Sequence, residues 1–271
     1  MLHSINNLFW RVFLGWGAWR RRLIFQIKLH YAPELDIRVP LGQGLCCPPF
    51  NEDIGSCFSE IFLGREYDNL LEKMPMPQCW VDMGCHAGFF SLWLLWQRRR
   101  QNANGICAAL LVDADRQHEA WLERLIRING LDQQWTFQLG AIANEPGECE
   151  FVERGYMASS LKAIDGQIGT VARVKVLTAI EIARKFPGPY DLIKLDVEGA
   201  EYEFLSSYSD LTRQARYLLV EWHSWHRGGG GQRQIQTMAD QQGFALVSEI
   251  QPARGVKQGQ TGVILYKNLR F

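Results

Sequence analysis

From Pro77 onward, short apolar runs alternate with longer stretches whose apolar positions recur every three or four residues. That alternation is the sequence sign of a parallel sheet with helical crossovers. Trp80 to Met83 reads as a first strand, and Phe89 to Gln101 as a helix closing in Arg98, Arg99 and Arg100, which favour the negative end of a helix. Ile106 to Val112 reads as a second strand ending at Asp113, Arg116 to Asn129 as an amphipathic helix stopped by Gly130, and Trp135 to Ala141 as a third strand. Cys149 to Val152 and Arg173 to Leu177 alternate like inserted antiparallel strands around a polar turn near Met157 to Ser160. Ala179 to Phe186 is helical in pattern, and Leu192, Ile193 and Leu195 mark a fourth buried strand. Tyr217 to Glu221 marks a fifth, followed by a helix from Gln232 to Gln242 and two closing strands, Phe244 to Ile250 and Gly262 to Tyr266. The expectation is an α/β, doubly wound, mostly parallel sheet spanning 61–271.

The first 60 residues differ in pattern. Leu8 to Arg22 mixes large aromatics with arginines; its apolar part is interrupted by Arg11 and is shorter than the ~20 residues a bilayer-spanning helix needs. Its positive charge follows the apolar part, with no small-residue cleavage site, unlike a secretory signal. A helix packed on the domain is the favoured reading, with peripheral membrane contact through residues 8–22 as the other. Pro33, Pro40, Pro48 and Pro49, with Gly42 and Gly44, predict an irregular or short-stranded connection covering the main sheet.

Composition narrows the function classes. The chain has 271 residues, 47% of them hydrophobic, enough for one elaborated domain. Lys and Arg total 29 and so do Asp and Glu, so no long-range positive field gathers nucleic acid. Seven cysteines form neither a paired zinc pattern nor a dense secreted framework, which fits a reducing cytoplasm.

The chemistry concentrates in YDLIKLDVEGAEYEFL, Tyr190 to Leu205. Asp196, Glu198 and Glu201 surround Gly199, where a buried strand turns into a helix, so three acids stand at the carboxyl end of a strand, the edge where open α/β sheets bind ligands. Glu198 and Glu201 also suit the positive end of the following helix. Earlier, VDMGCHAGFF carries Gly84 and Gly88 around Cys85, His86 and Ala87. A dinucleotide turn needs its middle glycine so that backbone can reach a pyrophosphate, and His86 stands there, which disfavours nicotinamide and flavin dinucleotides. Asp113 closes the second strand, where an acid can accept from ribose hydroxyls. Glycine turn, acid and carboxylate turn converge on one sheet edge.

VDMGCHAGFFSL, LLVDADRQ, INGL and above all IKLDVEGAEYEFL resemble the FkbM family of S-adenosylmethionine-dependent O-methyltransferases, over a span from about Phe62 through VEWH at Val220 to His223. The resemblance implies a Rossmann-like class I methyltransferase fold, a seven-stranded sheet with its last strand antiparallel, and S-adenosylmethionine as cofactor. It places Asp82, Gly84 and Gly88, with Cys85 and His86 between the glycines, around the methionine part. Asp113 and Ala114 fall at the ribose, and Gly140 and Ala141 beside the adenine. Two departures stand out: Cys85 and His86 where the family has small or amide residues, and Asp113–Ala114 where it has Glu-Pro. Asp for Glu preserves an acceptor, while His86 could reshape the methionine pocket.

A methyl on a sulfonium needs an aligned nucleophile and a group to take its proton. Asp196 is expected to act as positioning or proton-accepting acid and His223 as base or substrate ligand, with Glu221 a structural acid and His226 a loop residue. A divalent-ion site is a weaker alternative: Asp196, Glu198, Glu201, Glu221, His86 and His223 could partly converge and an oxygen-rich site would suit magnesium, but they show no compact ligand spacing such as HExxH, so no metal is expected. The acceptor is expected to be a hydroxyl of a sugar, glycan or small metabolite. A nucleic-acid methyltransferase is the weaker alternative, since no N/D-P-P-Y/F run occurs; a non-catalytic cofactor-binding protein is another. Gly228 to Gly231 reads as a lid over the acceptor or as plain surface loop.

Overall fold

The computed structural model describes residues 38–48, 52–70, 72–103, 105–153, 170–224, 230–250 and 261–271. A hairpin of β1 (Val39–Gly42) and β2 (Leu45–Cys47) precedes α1 (Glu52–Phe58). The main sheet then begins: β3 (Cys79–Met83), α2 (Phe89–Arg100), β4 (Ala108–Asp113), α3 (Glu119–Ile128), β5 (Trp135–Leu139). After the antiparallel pair β6 (Gly147–Glu153) and β7 (Thr170–Val176) come α4 (Ala179–Lys185), β8 (Tyr190–Leu195), α5 (Glu201–Ser207), α6 (Ser209–Thr212) and β9 (Ala215–His223). The described chain closes with α7 (Gln232–Gln241), β10 (Phe244–Ile250) and β11 (Thr261–Asn268).

Seven strands form one sheet in the order β10-β11-β9-β8-β3-β4-β5. β3, β4, β5, β8 and β9 pair in parallel, and β11 lies antiparallel between β9 and β10. From β3 the chain winds outward to β4 and β5 on one side, then returns to β8 and β9 on the other, so the strand order reverses between β3 and β8. This is where open α/β sheets bind ligands.

Strands buried on both faces must be apolar at successive positions, as β3 and β8 are. Trp80 and Leu192 face a core shared with α2, α3 and the hairpin, while Val81, Met83, Ile193 and Leu195 face a second core with α5 and α7. The hairpin is tied down by polar contacts. Trp96 Nε1 donates to Leu41 O at 2.6 Å, and the Asn129 amide both accepts from Cys46 N at 2.9 Å and donates to Cys46 O at 2.8 Å.

Two expected elements shift for local reasons. The second crossover opens as a short 3₁₀ turn, Arg116–His118, because the Asp115 side chain caps it by accepting from Gln117 N. β5 stops at Leu139, two residues before the expected end. Gly140 N still donates to Asp113 O, but Ala141 crosses to bridge Val176 beside β7. All seven cysteines carry free thiols, and no helix among the described residues is long and apolar enough to cross a membrane. Residues 8–22, Met157 to Ser160, His226, Gly228 and Gly229 lie outside the described residues.

Candidate active site

The carboxyl ends of β3, β4, β8 and β9 assemble the site. Gly84 follows β3 and the chain reverses there with φ +71; a Cβ at this position would sit 1.6 Å from the Asp196 carbonyl oxygen. Only a glycine lets the two strand ends lie this close. Asp196 N donates to Met83 O at 3.0 Å across the same gap. Gly88 has φ +72, and a Cβ there would meet Leu122, Leu125 and Leu111, while one at Gly140 would strike Leu177. The glycines are therefore demanded by the protein's own packing, strand against strand and helix against sheet, whatever lies in front of them.

Asp82, expected beside the methionine part, is wholly buried. Its Oδ2 accepts from Ser91 Oγ at 2.7 Å, and its Oδ1 lies 3.5 Å from Lys194 Nζ, so that here it answers a buried cation. Lys194 is itself buried and also donates to Asp196 Oδ2 at 3.0 Å and to Gly84 O at 3.2 Å. Burial alone would lower a lysine's proton affinity, but Asp196, Asp82 and Glu221 raise it above the ordinary value. Sequence reading passed over Lys194, although a lysine inside an apolar strand is a signal: such a charge needs a partner.

Asp113 ends β4 nearly buried. Oδ2 accepts from His86 N at 2.6 Å, Oδ1 from Asp115 N at 2.8 Å, and His118 Nδ1 lies 3.7 Å from Oδ1. Burial would raise its proton affinity, but His118, the Asp115 amide and His86 outweigh that and hold the carboxyl below its usual range. An ionised carboxylate offers about four acceptor sites, so capacity remains for ribose hydroxyls. Ala114 follows it, partly buried beside Ala141 and Phe151. His86 takes φ +48, a conformation that non-glycine residues seldom hold without a functional reason. Its ring meets His118 at 4.2 Å, and burial, then His118, push its proton affinity down to about 4, so the imidazole is neutral. Its Nδ1 is buried with no hydrogen-bond partner, the kind of atom a bound polar ligand satisfies. Cys85 is buried, its amide spent on Val112 O at 2.9 Å. The Ala141 amide donates to Lys175 O at 2.9 Å.

On the other side of Gly84, the acids gather. Glu201 is wholly buried, and its Oε1 takes the amides of Gly199 at 3.0 Å and Val197 at 3.3 Å and the Nδ1 of His223 at 2.9 Å. His223 Nε2 lies 3.8 Å from Glu198 Oε2. Burial would lower the imidazole's proton affinity, but the hydrogen bond and charge of Glu201, with Glu198 and Asp196, raise it to about 10. Held between carboxylates, the imidazole favours its protonated form, which suits the role of substrate ligand better than that of base. Glu198 sits at φ +51, strained as His86 is, and burial brings its carboxyl to about 7. Glu221 accepts from Tyr67 Oη at 3.3 Å; burial and then Asp196 push its proton affinity well up. Next to it, Glu66 is brought to about 7 by burial and the charge of Glu60. The family resemblance begins in this segment, at about Phe62, but its local pattern did not place Glu66 and Tyr67 at this edge.

The neutral, open-handed turn at His86, the partly free Asp113 and the carboxylate-rich edge fit a cofactor that joins a ribose to a sulfonium cation. Among curated proteins, none matches in sequence. Solved structures of similar shape include magnesium protoporphyrin IX methyltransferase from Synechocystis with bound SAH, at 13% identity, TM-score 0.47, 80% of this chain and 85% of that one. Another is an O-methyltransferase from Bacillus cereus in complex with SAH, at 10% identity, TM-score 0.44, 75% of this chain and 80% of that one. A tRNA methyltransferase from B. subtilis is similar at 10% identity and TM-score 0.43, over 75% of this chain and 65% of that one. The model of the methyltransferase FkbM domain matches residues 86–247, from His86 in the glycine turn through Asp113, Asp196, Glu198, Glu201, Glu221 and His223. The chain belongs to the FkbM methyltransferase family, and its cofactor is S-adenosylmethionine.

Proposed function

We propose that the chain transfers a methyl group to a hydroxyl of a small polyhydroxylated acceptor, a sugar, glycan or metabolite. When bound, S-adenosylmethionine would supply a methyl activated by its sulfonium, sulfur keeping the pair of the broken carbon–sulfur bond. Asp113 holds the ribose, with Ala114 beside it; the turn from Gly84 to Gly88, with Cys85 and His86, borders the methionine part, and Gly140 and Ala141 flank the adenine. Asp82 supports this arrangement from behind, through Lys194. Asp196, fixed by Lys194 across the Gly84 crossing, receives the acceptor hydroxyl, and its carboxylate draws off the proton as the new oxygen–carbon bond forms. Placing the two reactants accounts for several kcal/mol of the barrier, and a positioned proton acceptor adds roughly 10²–10⁴-fold.

The observation that carries this reading is the convergence of Asp196, Glu198, Glu221 and His223 on one edge. Carboxylates and a protonated imidazole make good hydrogen-bond partners for hydroxyls. The same carboxylates repel phosphate, which weighs against a nucleic-acid acceptor. Incubating purified protein with methyl-labelled cofactor and a panel of sugars, glycans and hydroxylated metabolites tests the proposal. Label transferred to an oxygen of one of them is expected; label appearing only in RNA, or in nothing while cofactor binds, would overturn it.

A further inference from the structure

We propose that Asp196, Glu221 and His223 form a binding site for one divalent metal ion that holds the acceptor hydroxyl. The inference deepens the reading of this edge as the acceptor site and rests on it. One ligand atom from each of the three residues lies within 4.8 Å of the other two, a spread that small side-chain adjustments close around an ion bound at about 2.0–2.2 Å. The residues stand at the ends of two paired strands. Leu195 of β8 is in register with Val220 of β9, so Asp196 and Glu221 are the next residue of each strand, and His223 ends β9 two residues on. Glu221 and His223 are held by the sheet itself, and Asp196, the first residue past β8, by its amide's bond to Met83 O.

The histidine is prepared for such a role. Metal-bound imidazoles usually donate their second ring N–H to a carboxylate, which fixes the ring and strengthens the ligating nitrogen. His223 Nδ1 meets Glu201 Oε1 at 2.9 Å, leaving Nε2 turned toward the acids, with Glu198 Oε2 at 3.8 Å. Glu201 is wholly buried and its second oxygen, Oε2, has no hydrogen-bond partner. A buried carboxylate with an unmet oxygen behind the imidazole adds negative charge, which a proton on His223 offsets in the empty site and an ion at Nε2 offsets in its place. Around the same point stand Asp82, Asp196, Glu198, Glu201 and Glu221, while the cations among them are Lys194 and His223. Two carboxylates and one imidazole suit manganese or zinc better than magnesium or calcium, which prefer all-oxygen sets. Tyr67, donating to Glu221 Oε2 at 3.3 Å, orients that ligand as Glu201 orients the histidine.

Ion binding displaces the Nε2 proton of His223. An ion here lowers the proton affinity of a coordinated hydroxyl. Asp196 then holds the ion rather than the proton, which passes to solvent. The absence of a compact motif such as HExxH is explained, since the ligands come from two strands and meet only in the fold.

Manganese provides the probe. Chelator-treated full chain is titrated with Mn²⁺, following the signal of free Mn²⁺ by electron paramagnetic resonance, and S-adenosylmethionine affinity is measured by calorimetry on the same samples. One Mn²⁺ per chain is expected for the wild type and for Glu145→Gln, whose carboxylate is exposed and is not one of the three ligands. Glu221→Gln is expected to bind Mn²⁺ at least about tenfold more weakly, with cofactor affinity unchanged. His223→Gln, which keeps an amide donor toward Glu201, serves as a second variant should Glu221→Gln misfold, and the same loss is expected. No stoichiometric Mn²⁺ binding by the wild type, or wild-type binding by a folded Glu221→Gln or His223→Gln chain, overturns the ion site. Failure of Mn²⁺ binding while S-adenosylmethionine binds removes the ion alone; failure of both removes the reading of the edge itself.

Discussion

Lys194→Met is expected to lower the stability of the folded chain by about 3–5 kcal/mol, the usual consequence of stripping one partner from a buried ion pair. Methionine fills much of the lysine's volume, so lost packing contributes little, although the ammonium's approach to the Phe90 ring at 5.6 Å goes with the charge. What goes is the charge between wholly buried Asp82 and Asp196, and with it the hydrogen bond to Gly84 O that ties β8 to the turn after β3. Burial already raises the proton affinity of Asp82 against the opposing pull of Lys194. Without the lysine, Asp82 is left to take up a proton or stay charged and unpaired. Thermal unfolding should shift down by roughly 10 °C. Adding Asp82→Asn to the methionine variant should restore part of the loss, because the stranded charge is then gone. An unchanged melting temperature in Lys194→Met, or no recovery in the double variant, would remove Lys194 as the keystone between the two strand ends.

The second large effect falls on turnover. Asp196→Asn keeps the shape of the side chain and an oxygen for Lys194, so fold and cofactor affinity should stay within about twofold, while methyl transfer drops by roughly 10²–10⁴. Single-turnover measurement with labelled cofactor, paired with calorimetric binding, separates the two quantities. A variant that binds cofactor normally and still turns over within about tenfold of wild type contradicts the place given to Asp196. Equal loss of binding and turnover would make it a folding residue and nothing more.

The strands of the main sheet were legible because each is an apolar run bounded by glycine, proline or an acid, and a parallel sheet imposes that pattern on both of its faces. The two closing strands also showed in their alternation, and the resemblance implied an antiparallel last strand, but the insertion of β11 between β9 and β10 is topology that no local pattern carries. Local pattern failed where long-range contacts decide. Asp82 and Asp113 look alike in sequence, each an acid at the end of a strand. The fold seals the first behind Lys194 and Ser91 and leaves the second at the turn with His86. His223 looked like a base poised for neutral pH, and only the approach of Glu201, 22 positions away in sequence, fixes a proton on it. Glu198 and Glu201 were read together as acids of a helix start. Their fates divide, one strained and facing His223, the other buried behind it. Tyr67 and Glu66 reach the edge from a segment whose local pattern did not place them there.

The account turns on S-adenosylmethionine sitting at the carboxyl ends of β3 and β4 with its ribose on Asp113. Calorimetric titration of S-adenosylmethionine into the wild type and into Asp113→Ala tests this most directly, with unfolding curves to show that both chains are folded. One site per chain is predicted for the wild type, with affinity in the folded variant reduced by at least about tenfold, the loss expected when charge-assisted hydrogen bonds to the ribose are removed. A folded wild type that takes up no S-adenosylmethionine, or an Asp113→Ala chain that binds it as tightly, would contradict the account.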